Sequence, residues 1–161
     1  MDFSRLRGSE VVGAIAGLVL IVSLFLEWFT LTGGPERTAQ DAWICGEGNL
    51  GCSAWDTFPL LRFLLIAVAL APVILAYLVA TDANLSWPAG EVTTIVGLAA
   101  ITLIGYNGIV DKPGAAIQEF GVSLSWGYFV ALLAAIVLTG AGAMRNLESG
   151  GGGQRKPPAT F

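Results

Sequence analysis

The 161-residue sequence contains no histidine and only two cysteines. Histidine is the side chain used most often as a general base and as a metal ligand, so its absence weighs against an enzyme. Two cysteines without histidine would fill only half of a tetrahedral zinc site. We therefore expect a non-enzymatic protein with no metal site and no cofactor.

Charged residues are also scarce, at 12 % of the chain, whereas roughly a quarter is typical of soluble domains. Twelve acids and eight bases give a net charge of −4, and the bases form no cluster that could follow a phosphate backbone, so we expect no nucleic-acid partner. Hydrophobic residues make up 55 % of the chain, and the mean hydropathy is +0.72. Since a water-soluble fold of this length cannot bury so much apolar surface, the composition predicts an integral membrane protein surrounded by a lipid bilayer.

The uncharged residues fall into four runs, and a helix of about 20 residues crosses ~30 Å of hydrocarbon. We predict transmembrane helices at about 11–31, 57–80, 91–109 and 122–144. The first of these runs resembles a cleaved signal peptide. However, Glu27, Trp28 and Phe29 stand where a cleavage site of small residues is needed, so we expect the helix to be retained. The predicted fold is an all-α membrane protein, a four-helix antiparallel transmembrane bundle over residues 11–144.

The segments between and beyond these helices decide the predicted topology. Residues 1–10 form a short N-terminal segment, residues 32–56 form a long outer loop, and residues 145–161 form a glycine-rich tail that we expect to be disordered. Three bases lie in the first and third connectors, whereas five lie near the termini: Arg5, Arg7, Arg145, Arg155 and Lys156. This distribution favours a multi-pass plasma-membrane protein with both termini in the cytoplasm.

Both cysteines lie in the outer loop. Cys45 and Cys52 enclose the residues GEGNLG, whose glycines allow the tight turn that a disulfide needs. A structural disulfide requires an oxidising compartment, which places the loop outside the cell. The stretch WICGEGNLGCSAW can form short strands across this disulfide. Thiol redox catalysis is the alternative, and it is disfavoured because the chain has no CxxC motif.

Glu27 and Arg62 form a candidate ion pair at the outer membrane interface. Glu27 lies at the carboxyl end of predicted helix 1 and Arg62 at the amino end of predicted helix 2, so each has an unfavourable sign for its own helix dipole. If the two helices are neighbours, the two side chains can pair. Alternatively, each reaches lipid headgroups and water independently.

The five tryptophans lie at predicted membrane edges or in the outer loop, which is typical of an aromatic belt. They are Trp28, Trp43, Trp55, Trp87 and Trp126. Trp43 and Trp55 flank the predicted disulfide and can instead form a contact patch for a partner protein.

Small residues indicate where helices approach closely. Gly13 and Gly17 form a GxxxG spacing in helix 1, although such a spacing also arises by chance in a glycine-rich chain. In helix 4, Gly140 belongs to a small-residue face with Ala131, Ala135 and Gly142.

Several sequence patterns together resemble a known family. SLFLEWF at Ser23–Phe29, AWDTF at Ala54–Phe58, a proline-containing inner turn and a final GYFVALLAAIVLTGAGA are similar to the small, uncharacterised four-helix integral membrane proteins of actinobacteria. The resemblance implies the four-helix fold. It implies no role for Glu27 or for the cysteines, because those relatives often have proline at the position of Glu27 and generally lack the cysteine pair.

The outer loop also resembles, more weakly, the claudin and tetraspan plan. In that plan a tryptophan follows helix 1, a tryptophan near a cysteine and a second cysteine build the outer loop, and an arginine opens helix 2. The corresponding residues occur here in the same order: Trp28, Trp43, Cys45, Cys52 and Arg62. The GLW triplet of that plan is absent, and the spacings are shorter.

These observations favour an accessory subunit or surface interaction module that engages another membrane protein or self-associates. An oligomeric channel or small-solute transporter is the main alternative, but apart from Glu27, Arg62 and Glu91 near their ends the four predicted helices contain no charged residue of the kind that usually marks a transport path.

Overall fold

A computed structural model of the protein describes residues 8–32, 45, 51–81, 89–113 and 121–150. The described chain is mostly helical, with long helices α1 (Gly8–Ser23), α3 (Leu61–Ala80), α4 (Ala89–Gly105) and α5 (Trp126–Gly150), and a one-turn helix α2 (Ala54–Thr57). A π-helical turn, Tyr106–Val110, continues α4. The described residues also form three strands: β1 (Glu27–Thr32), β2 (Gly51–Ser53) and β3 (Gly121–Leu124).

Three apolar helical segments are long enough to cross a membrane: Leu61–Val79, Gly90–Val110 and Trp126–Glu148. In an apolar 18-residue stretch of each segment, only 22 %, 28 % and 44 % of the residues, respectively, are buried inside the protein. Three of the four predicted membrane-length helices are therefore present, and each leaves a largely apolar surface uncovered. Helix α1 is also apolar but has only 16 residues.

Helix α1 ends at Ser23, whereas the sequence predicts a helix to residue 31. The last carbonyls of a helix lack intrahelical partners, and here nearby groups satisfy them. The Ser23 hydroxyl donates to the Leu20 carbonyl at 2.6 Å, and the Trp28 indole N–H donates to the Ser23 carbonyl at 2.8 Å. The backbone N–H of Trp55 donates to the Leu24 carbonyl at 3.0 Å. These bonds allow the helix to end at Ser23 although the residues that follow are still apolar.

The strands form one antiparallel sheet in the order β2-β1-β3. In the central strand, Phe29 is in register with Cys52 on one side and Leu124 on the other. The sheet corrects two predicted boundaries, because the sequence predicts helix at residues 27–31 and 122–124. The prediction of short strands in the outer loop is confirmed for β2, although its partner is β1. Residues 43–44 and 46–50, which would complete the predicted hairpin, lie outside the described residues.

An aromatic cluster of Trp28, Phe29, Phe58 and Tyr128 joins the sheet to the helices. The Trp28 ring lies 6.5 Å from the Phe58 ring and 5.8 Å from the Tyr128 ring, both edge to face, and the Phe29 and Phe58 rings are 5.9 Å apart. Edge-to-face contacts at these distances are favourable. The Trp28 carbonyl also accepts a 2.7 Å hydrogen bond from the backbone N–H of Ser125. We call this end of the molecule the sheet end.

Helices α1 and α3 approach closely at Gly17. A Cβ atom at Gly17 would collide with the Ala69 carbonyl oxygen and lie 3.2 Å from Pro72 Cγ. Gly13 is less constrained, because a Cβ there would meet Ala141 and Pro72 at an ordinary 3.7 Å. The GxxxG spacing is therefore a packing feature, and Gly17 is its tighter position.

Helices α4 and α5 pack through three successive pairs of a glycine with a polar residue. Gly90 faces Asn146, Gly97 faces Thr139, and Gly142 faces Thr94, and a Cβ at any of the three glycines would collide with its partner. Small residues allow helices to approach in this way. Gly140, predicted to pack, is instead exposed on the outer face of α5, where an added methyl group would meet no atom within 4 Å.

Helix α5 continues to Gly150, which corrects the expectation that residues 145–150 belong to a disordered tail. Contacts to the first turn of α1 hold this extension: Arg145 forms an ion pair with Glu10, and Ser9 donates a 3.4 Å hydrogen bond to Glu148. Residues 1–7 and 151–161 lie outside the described residues.

Replacing Trp28 should destabilise the protein far more than replacing an exposed tryptophan. Trp28→Ala removes the helix cap and the centre of the aromatic cluster, so we expect a loss of about 3–5 kcal/mol in the free energy of unfolding. Trp126 is 57 % exposed, and Trp126→Ala should cost less than about 0.5 kcal/mol. Denaturant titration in detergent micelles, followed by circular dichroism, measures both. Equal losses would contradict the central role of Trp28.

The two glycines of α5 should respond oppositely to alanine. Gly142→Ala places a methyl group 2.5 Å from the Thr94 backbone nitrogen, so α4 and α5 must separate and the protein should be destabilised. Gly140→Ala meets open space and should be neutral or stabilising by up to about 1 kcal/mol, because alanine is the better helix former. Thermal unfolding of both variants tests this contrast, and a stabilised Gly142→Ala variant would refute the packing.

Candidate functional site

The disulfide is present and anchors β2. Cys45 and Cys52 are bonded, with their Cα atoms 4.4 Å apart, and they are only 2 % and 0 % exposed. Cys52 lies in the edge strand β2 and pairs with Phe29 of the central strand, so the bond ties Cys45 to this edge of the sheet. The predicted disulfide is thus confirmed as a buried clip.

The tryptophans divide into different roles. The sequence predicts Trp28 as a belt or loop-contact residue, and the structure corrects this, because its side chain is fully buried as the cap of α1. Trp55 is half-buried and stacks on Phe25 with ring centroids 4.9 Å apart. Trp126 is exposed at the start of α5, as a belt residue would be. Trp43 and Trp87 lie outside the described residues.

Glu27 and Arg62 both lie at the sheet end, but within the described chain no salt bridge joins them. The Glu27 side chain lies over Gly51 of β2, where any Cβ atom would collide with it. The physical reason is the early end of α1, because Glu27 belongs to a strand and its side chain follows the sheet. The predicted ion pair is therefore not the contact that Arg62 makes.

Arg62 instead lies against aromatic rings. Its guanidinium carbon is 4.8 Å from the centre of the Trp55 ring and 4.9 Å from that of Phe63, and its Nη1 donates a 3.1 Å hydrogen bond to the Trp55 carbonyl. Cation–π attraction is effective at these distances. Trp55 is itself fixed by its backbone bond to Leu24. The result is a positive charge held in one place at the start of α3, with its Nε atom buried and without a hydrogen-bond partner.

A second polar cluster lies at the opposite end of the helices. Glu10 of α1 and Arg145 of α5 form an ion pair of 2.7 Å, and their side chains are 3 % and 16 % exposed. Glu10 also has the favourable sign for the dipole of its own helix, since it lies in the first turn of α1. Beside the pair lies a cavity of about 10 Å³, close to the volume of one water probe. The buried Thr93 of α4 and Pro72 of α3 also line it.

Sequence reasoning missed this cluster, because it places Glu10 in the N-terminal segment and Arg145 at the end of helix 4. A usable signal was present. Opposite charges stand at the first turn of the first helix and the end of the last helix, and in an antiparallel arrangement these two positions lie at the same end.

An open groove of about 230 Å³ runs between α1 and α5. Only aliphatic side chains line it: Val12, Ile15, Ala16, Val19, Val130, Leu133, Ala134 and Val137. Such a surface offers hydrocarbon contact and no polar recognition.

Comparison of the chain with family models, with curated proteins and with solved structures found no match.

Breaking the Glu10–Arg145 pair should be strongly destabilising. Glu10→Gln leaves a largely buried guanidinium without its counter-charge, and such a loss typically costs roughly 3–5 kcal/mol. The double variant Glu10→Gln/Arg145→Gln removes both charges and should recover part of that loss. Glu91→Gln, at an exposed position in the first turn of α4, is a control expected to change stability by less than about 0.5 kcal/mol.

A double-mutant cycle of unfolding free energies measures the coupling between Glu10 and Arg145. Strictly additive effects of the two single substitutions would show that the pair contributes nothing.

Proposed function

We propose that the chain is a multi-pass plasma-membrane protein whose four long helices form one transmembrane bundle. Support comes from the large exposed apolar surface of the helices, on which side chains such as Ile15, Ile74, Ile95 and Leu133 are 53–62 % exposed. In water such patches would be costly, whereas lipid covers them without cost. Helix α1 spans about 24 Å at 1.5 Å per residue, and the turn at residues 24–26 lengthens this apolar segment.

The sheet end faces the cell exterior in this proposal, and both termini lie in the cytoplasm. The Cys45–Cys52 disulfide supports this orientation, because disulfides persist in oxidising compartments. The excess of arginine and lysine near the termini supports it as well.

The function that we propose is an accessory subunit or surface interaction module. The observation that carries it is the rigid attachment of the sheet to the helices, through the Trp28 cap, the Ser125 bond and the buried disulfide. A sheet fixed in this way presents a surface of constant shape, and pre-organised surfaces bind partners at lower entropic cost. The partner is another membrane protein or a second copy of the chain.

The alternative function, a channel, requires a conducting path. Leu20, Leu65, Ala100 and Ile104 are fully buried among the helices, so side chains fill the interior of the described helical body. Any conducting path would have to form between several copies.

Site-specific photocrosslinking tests the proposal. A photoreactive amino acid at Ser123, an exposed position of β3, should crosslink one defined membrane protein in cells, or should give an adduct of twice the 16.8 kDa chain mass. The same probe at Leu147, which is 77 % exposed at the opposite end, is the matched control. A Cys45→Ser/Cys52→Ser variant should weaken the Ser123 adduct, because the clip that shapes the sheet is lost.

Crosslinking only to lipid at Ser123 would contradict a partner at the sheet end. A closed ring of several copies with ion conductance in planar bilayers would favour the channel.

A further inference from the structure

Arg62 carries hydrogen-bonding capacity that no described residue uses. The guanidinium has five N–H donors, and within the described chain Nη1 supplies its one bond, to the Trp55 carbonyl. Its Nε is buried and has no acceptor, and no bond from Nη2 is found among the described residues. In a planar guanidinium, Nε and Nη2 share one edge, which is an edge that binds two oxygens of a phosphate or carboxylate side by side.

The surrounding side chains hold this edge in place without neutralising it. Trp55 and Phe63 contact the guanidinium through their rings. Among the described residues no carboxylate pairs with Arg62, since Glu27 lies over Gly51 and Asp56 accepts a 2.7 Å hydrogen bond from Ser53. With respect to the described residues, an uncompensated charge on an ordered side chain is thus presented beside the sheet.

The location of Arg62 indicates the source of the missing acceptor. Arg62 is the second residue of the apolar segment Leu61–Val79, so it lies at the boundary between hydrocarbon and water if that segment crosses a membrane. Two exposed aromatic side chains lie beside this group: Phe63, which contacts the guanidinium and is 57 % exposed, and Phe25, which stacks on Trp55 and is 58 % exposed. Oxyanions found at that depth are the phosphodiester groups of phospholipids.

We infer that Trp55, Arg62 and Phe63 form a binding site for the phosphodiester of a phospholipid in the leaflet at the sheet end. Nε and Nη2 of Arg62 donate to two phosphate oxygens, while Phe25 and Phe63 contact the upper acyl chain. The Nε atom is buried, so this binding mode requires the exposed Phe63 ring, which lies 4.9 Å from the guanidinium carbon, to turn aside when the phosphate enters.

Native mass spectrometry of the full chain in detergent, titrated with dioleoylphosphatidylglycerol, tests the site. Arg62→Gln should weaken binding of the most tightly held lipid roughly tenfold, the loss expected for a hydrogen-bonded charge. Lys112→Gln, which removes the same charge beyond the π-helical turn of α4, should bind as the wild type does. Equal weakening in both variants would show general charge attraction, and no weakening in Arg62→Gln would show that Arg62 is not the site; either result overturns the inference.

Arg62→Lys keeps the charge and the stem of the side chain, so it tests the geometry even if Arg62→Gln does not fold. An ammonium cannot offer two parallel donors, so this variant should also bind more weakly than the wild type. Wild-type affinity in a folded Arg62→Lys variant would overturn the bidentate site. A further titration with inorganic phosphate identifies the source of the oxyanion. Displacement of lipid by phosphate at matching concentration would assign the site to free phosphate and reject the lipid.

Discussion

The hydrogen bond from the Trp28 indole to the Ser23 carbonyl is the contact on which the sheet end depends. A helix that ends within an apolar run leaves carbonyl groups that neither lipid nor aliphatic side chains can satisfy. The indole N–H meets one of these groups, and the Trp28 ring then packs against Phe58 and Tyr128. One side chain therefore ends α1, sets the direction of β1 and fixes the sheet on the helices. The disulfide acts on the neighbouring strand β2, in which Cys52 pairs with Phe29 of β1.

Away from the sheet, shape and charge together hold the helices in register. Gly17 lets α1 touch α3, and the three pairings of Gly90, Gly97 and Gly142 let α4 touch α5. Close backbone approach is the main source of helix association where lipid removes the hydrophobic drive. The Glu10–Arg145 pair adds a polar contact between α1 and α5 at the opposite end. A buried ion pair contributes little net stability, but this contact requires the first turn of α1 to lie beside Arg145 of α5.

The sequence predicted the helices, the disulfide and the Gly17 contact, because hydropathy, cysteine spacing and small-residue spacing are local signals. The sequence did not predict the features that depend on contacts between residues far apart in the chain. Hydropathy cannot separate Leu24–Leu31 from the helix before it, since the change to a strand depends on bonds to Trp28 and Trp55. Gly140 and Gly142 cannot be told apart by residue type. Only the orientation of α5 about its own axis decides which of the two faces α4. The prediction that Arg62 pairs with Glu27 assumed that the first helix continues through Glu27. In the structure α1 ends at Ser23, so Glu27 is placed by the sheet instead.

The order of strands in the sheet constrains how the chain matures. The central strand lies directly after α1, whereas β3 is separated from it by α3 and α4 along the sequence. A nascent chain that has emerged only as far as α4 therefore has a central strand with one edge uncovered, and Ser125 is not yet available to the Trp28 carbonyl. Completion of the sheet must wait until β3 and Ser125 have been synthesised. The assembled sheet is in this sense a physical record that synthesis has passed Ser125 and that both ends of the described chain have met.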